Sequence, residues 1–127
     1  MKKLHVIFLT SLLIPLMTGC VSTNLVGDVD PSVDLASIQT FYVVRQPKDK
    51  RGIEKMISDE LLKYGKESSF GNTTEPPEGV DAVVTYIDKW YWDLTNYLIE
   101  LTIEMRHPET RYKMASGKSF RTSLARK

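Results

Sequence analysis

One cysteine in 127 residues leaves no partner for a disulfide, and with only two histidines it cannot furnish a Cys/His metal cluster. No charge of one sign dominates: 17 Lys and Arg stand against 16 Asp and Glu, so nothing in the balance points to nucleic acid. No glycine-rich phosphate loop is present, and no serine lies in a nucleophile-elbow sequence. There is no internal repeat and no low-complexity tract. The longest apolar run, Val6 to Leu16, is about eleven residues, roughly 16 Å as a helix, against the ~30 Å of a bilayer core. It is too short to remain as a spanning anchor.

What is present begins with an address. Lys2 and Lys3 precede that apolar run, and Met17-Thr18-Gly19-Cys20 closes it, giving the charged, apolar and small-residue order of a secretory signal. The cysteine directly after Thr18-Gly19 resembles a lipobox, with Met17 where Leu is usual. The resemblance implies cleavage before Cys20 and lipid on its thiol. Cleavage leaves 108 residues (127 minus 19), enough for one domain with a modest core. It also removes Lys2 and Lys3, so 15 basic residues face 16 acidic ones, a formal charge of about −1. Val21 stands where many inner-membrane lipoproteins carry Asp, which by resemblance implies an outer-membrane anchor facing the periplasm.

Three segments follow: residues 1–19 as signal, 20–33 as lipidated cysteine and tether, and 34–127 as a single α+β domain. Val21 to Ser32 is mostly Ser, Thr, Asn, Gly, Asp and Pro and reads as exposed coil. Ile38 to Arg45, rich in Phe, Tyr and Val, reads as a strand ended by Pro47. Asp49 then caps a helix over about 50–64. Its apolar face carries Ile53, Met56, Ile57, Leu61 and Tyr64, and its solvated face Glu54, Lys55, Ser58, Asp59 and Lys63. Gly65 is placed to end it. Lys66 to Gly79, with Gly71-Asn72 and Pro76-Pro77, reads as a long loop.

Val80 to Trp92 is a strand candidate, and Asp93 to Asn96 a turn. Tyr97, Ile99, Leu101, Ile103 and Met105 then alternate with polar residues, which implies one buried and one solvated face. His107 to Thr110 is a turn, and Tyr112 to Phe120 a last strand. The expected fold is one helix on a mainly antiparallel sheet of about four strands, ordered β-α-β-β-β.

The runs Val80 to Tyr86, Asp88-Lys89-Trp90-Tyr91-Trp92-Asp93, Tyr97 to Ile103 and Arg121 to Lys127 resemble small uncharacterised envelope lipoproteins of proteobacteria. That resemblance implies a strand, helix and meander layout with an aromatic Trp-x-Trp-Asp at a strand end, and it brings no activity. It also implies a closing helix after the position where this sequence stops.

Candidate chemistry is sparse. Glu100 and Glu104 share a strand face, but four residues at about 3.3 Å put their backbones roughly 13 Å apart, beyond the about 5 to 9.5 Å of a working carboxylate pair. Glu104 and Arg106 form a neighbouring ion pair on that face. His107 is the one histidine after the signal and reads as a turn residue. No catalytic residue, metal or cofactor is expected. The candidate binding residues are Trp90, Tyr91 and Trp92, an aromatic platform for a glycan or a protein partner. To these are added Arg121, Arg126 and Lys127, from a stretch that also holds Arg111, Lys113 and Lys118 and no acid. The function these features predict is a structural or protein-interaction role in the envelope. The partners are the membrane through Cys20 and an envelope protein or a second copy of the chain. A cell-wall glycan module is the alternative, with an enzyme behind it. Because one helix covers about half of a four-stranded face, part of the apolar meander is expected to lie uncovered.

Overall fold

The computed structural model describes residues 23–93 and 95–121. They form β1 (Thr23–Val29), a 3-10 turn (Leu35–Ser37), β2 (Thr40–Val44), α1 (Ile53–Lys63), β3 (Glu67–Gly71), β4 (Ala82–Asp93), β5 (Thr95–Arg106) and β6 (Lys113–Arg121). The six strands make one mixed sheet in the order β1-β6-β5-β4-β2-β3. β2 runs parallel to β3 and to β4, and the other neighbours are antiparallel. The class is α+β, as the sequence predicts, and four strands is an undercount.

β2 anchors the core because three successive residues, Phe41, Tyr42 and Val43, are buried, one face of the strand after the other. Phe41 and Val43 join Ile38, Ile53, Ala82, Val84, Tyr86 and Met114 in the cluster beneath α1. Tyr42 points the other way, and its hydroxyl donates to the Thr73 carbonyl at 3.1 Å, tying down the connection from β3 to β4. A Cβ built on Gly71 would stand 2.6 Å from that hydroxyl. Gly71→Ala should therefore cost about 1–3 kcal/mol through displacement of Tyr42, read as a lower urea midpoint.

α1 stops where Gly65 predicts but starts at Ile53, three residues later than expected, with Gly52 rather than Asp49 at the cap position. The Asp49 carboxylate accepts the N–H groups of Ile53 and Arg51, each at 2.7 Å, which satisfies donors at the helix start. Gly52, at the cap position, takes φ 71°, and Gly65 takes φ 75° as the chain leaves, with Gly65 N–H on Leu62 and Lys66 N–H on Leu61. The face reading needs correction. Glu54 and Ser58, expected in water, are buried, while Met56 and Tyr64 are exposed. Ser58 lies over β3, its hydroxyl 2.8 Å from that of Ser68, so the helix sits above β2 and β3 and is turned away from β5.

Two further corrections concern the sheet edges. Residues 23–29, read as tether, form β1 on β6, with Thr23 opposite Arg121 and Val29 opposite Ala115. Residues 67–71, read as loop, form β3 on β2. Both strands are held chiefly by backbone ladders on one side, so their side chains need no burial; Leu25 is 78% and Val26 66% exposed.

Candidate functional site

An apolar groove lies between α1 and the uncovered half of the sheet. Met56, Ile57, Leu61 and Tyr64 form its helix wall, and Trp90, Leu98, Leu101, Ile103 and Met105 form its floor and far end. It is open, apolar and about 740 Å³ in volume. It exists because α1 covers β2 and β3 while β5 also carries an apolar face. Its charged lining residues are Arg51, Asp59, Glu60 and Lys63, of which Lys63 pairs with Glu60 at 3.0 Å and Asp59 with Lys55 at 2.5 Å.

The floor departs from simple alternation at one point. Lys89 pairs with Glu100 but Trp90 pairs with Leu98, so Ile99 is an extra residue in β5. This bulge brings Leu98 to the groove beside Trp90, so the expected run of Tyr97 and Ile99 with Leu101 on one face is broken. Beyond it the alternation holds: Leu101, Ile103 and Met105 pack against the core, and Glu100, Thr102 and Glu104 take the other face.

Trp90 closes one end of the groove. Its indole N–H donates to Asp88 at 2.5 Å, and the Arg51 guanidinium lies 3.8 Å from its ring centroid. Tyr91, pointing to the opposite side, is 63% exposed. Trp92 continues β4, paired with Asn96 close to the turn into β5. Arg121 is the last residue of β6. Cys20, Arg126 and Lys127 lie outside the described residues.

The basic stretch is partly neutralised. Arg111 donates to the Thr74 carbonyl at 2.8 Å and lies 3.8 Å from Glu75. Lys118 reaches Glu100 at 3.1 Å, and Lys89 reaches the same carboxylate at 3.0 Å. Hydrogen bonds from the two lysines hold the Glu100 carboxyl below its ordinary range. Glu104 is bound by Arg106, so the two glutamates are separately engaged on a half-buried face, the Glu100 side chain only 12% exposed. His107 sits in the hairpin turn, its Nδ1 accepting the N–H groups of Glu109 and Thr110 at 3.2 and 3.3 Å. Among the described residues no group of three or more His, Cys, Asp or Glu could hold a metal ion.

One buried polar network carries no sequence signal. The Tyr86 phenol donates to Asp49 at 2.7 Å, lies 3.3 Å from Glu54, and accepts the Gln46 N–H at 3.1 Å. Arg45 approaches Glu54 at 3.6 Å. Burial raises the Asp49 carboxyl, but the donors from Tyr86, Arg51 and Ile53 outweigh it and leave the group at about 2. Burial, then Asp49, push the Tyr86 phenol upward. A carboxyl held below its unfolded value of 3.8 contributes stability that is full above pH 4 and fades as pH falls toward 2. That contribution is on the order of 2 kcal/mol. Melting between about pH 5 and about pH 2 should therefore show a steeper loss for the wild-type chain than for Asp49→Asn.

No protein-family model and no curated protein sequence matches the chain. Among solved structures, the PelC dodecamer from Paraburkholderia phytofirmans superposes with TM-score 0.57 at 11% identity, over 84% of this chain and 85% of that one. A single-substitution variant of the same dodecamer gives TM-score 0.56 at 13% identity, over 84% of each chain. At such identity the likeness is one of fold.

Proposed function

We propose that the chain is a lipid-anchored bacterial envelope protein, held through Cys20, whose domain acts by protein interaction and associates with further copies of itself through the groove beside α1. The groove carries this reading. A contiguous apolar surface of this kind, framed by charged residues, usually marks an interface. A second copy is the favoured occupant because the solved structures sharing the fold, those of PelC, are dodecamers. The structural role fits a chain in which Glu100, Glu104 and His107 are each committed to a local ion pair or turn.

The anchor is tested separately. Mass spectrometry of the mature N-terminus should find an acylated Cys20, and Cys20→Ala should abolish both acylation and cleavage at that position. One acyl chain holds a protein only marginally, while two or more fix it. An unmodified Cys20 in the mature chain would overturn the anchor.

A further inference from the structure

The fold brings the chain's separate N-terminal, aromatic and C-terminal features to one end of the sheet. Thr23 begins β1 opposite Arg121, and Phe120 lies opposite Glu100. Among the described residues, the hairpin made by Trp90 to Asp93 and Thr95 to Leu98 therefore reaches past Thr23 and Arg121 by about 10 Å. Cys20 lies three positions before Thr23, within about 10 Å of extended chain from that same end. The projecting hairpin holds Trp90, Tyr91, Trp92 and Tyr97, including both tryptophans of the chain. The opposite end, with the His107 turn, is the length of the twelve-residue β5 away, about 40 Å.

We infer that the domain stands on the lipid bilayer with the β4–β5 hairpin toward it, so that the Trp90-Tyr91-Trp92 run lies at headgroup depth beside the acylated Cys20. This rests on the lipid-anchor reading. A tether from Cys20 to Thr23 is too short to let the domain swing its far end to the membrane while β1 stays paired with β6. The end that must lie close to lipid is also where the aromatic residues concentrate. Tryptophan and tyrosine prefer the membrane interface, where an apolar ring and a polar N–H or O–H are both accommodated. The exposed Tyr91 and the half-buried Trp90 present such groups on opposite sides of β4. Charge contributes little to this contact: Asp88 and Asp93 offset Lys89, Arg51 and Arg121 nearly evenly.

Both tryptophans report from this end, so intrinsic fluorescence tests the orientation without a substitution. The full mature chain is reconstituted into vesicles of phosphatidylethanolamine and phosphatidylglycerol, with and without lipid spin-labelled near the headgroup. The chain should float with the vesicles, and the labelled lipid should lower tryptophan emission about twofold, because the indoles share the depth of the label. A chain that floats and is not quenched overturns the orientation and leaves the anchor standing. A chain with unmodified Cys20 that does not float overturns both. Unquenched emission together with retention on purified cell wall assigns the aromatic run to a glycan instead, and likewise overturns the orientation.

Discussion

Asp49→Ala should lower the unfolding free energy by about 3 kcal/mol, the largest effect expected of any single truncation outside the apolar core. Two losses combine. Removing the carboxylate takes away the acceptor at the start of α1, a capping loss of about 1 kcal/mol. It also removes the nearer acceptor of the buried Tyr86 hydroxyl, leaving it only the 3.3 Å approach to Glu54, and this weakened bond adds about 1–2 kcal/mol. Asp34→Ala is the control, since Asp34 likewise accepts a backbone N–H, from Ala36, but in an exposed 3-10 turn. It should cost less than about 1 kcal/mol. Urea unfolding of the two variants checks the difference, and equal midpoints would show that the Asp49 network contributes nothing.

Leu101→Asp should destabilise by about 2–4 kcal/mol, while Thr102→Asp should shift stability by less than about 0.5 kcal/mol. Leu101 packs against the core in the groove floor, so an aspartate there loses apolar contact and sets a charge among Ile103, Met105 and the α1 side chains. Thr102 lies on the other face, opposite Ile87 and Lys118, where the lysine offers an opposite charge. Equal shifts in the urea midpoint would place Leu101 on the wrong face.

The central elements were legible in the sequence and the edges were not. β2, β4, β5 and β6 announce themselves because burial of at least one face selects Val, Ile, Phe, Tyr and Met at alternate or successive positions. β1 and β3 are the two edge strands, and Thr23–Val29 and Glu67–Gly71 leave most of their side chains in water. A ladder on one side holds such strands, and backbone hydrogen bonds leave no trace in composition. The helix was legible in position and in its Gly65 stop, but not in its first turn or its rotation. Ser58 and Glu54 face inward because β3 offers Ser68, and Tyr86 stands close to Glu54, partners that lie 10 and 32 residues away in the chain. The aromatic run was visible from the start. Its kinship with Cys20 was not, since it depends on the pairing of Thr23 with Arg121, which only the completed sheet defines.

Self-association through the groove is the claim on which the functional reading turns, and sedimentation of the full mature chain in detergent at tens of micromolar tests it most directly. Stable interfaces bury about 1,200 Å² or more, so a specific association should appear as a defined species larger than a monomer. Met56→Lys, on the exposed helix rim of the groove, should shift that species to monomer while the melting temperature stays within a few degrees, since exposed helix positions tolerate lysine. A wild-type chain that sediments as a monomer and melts cooperatively well above growth temperature would contradict the account.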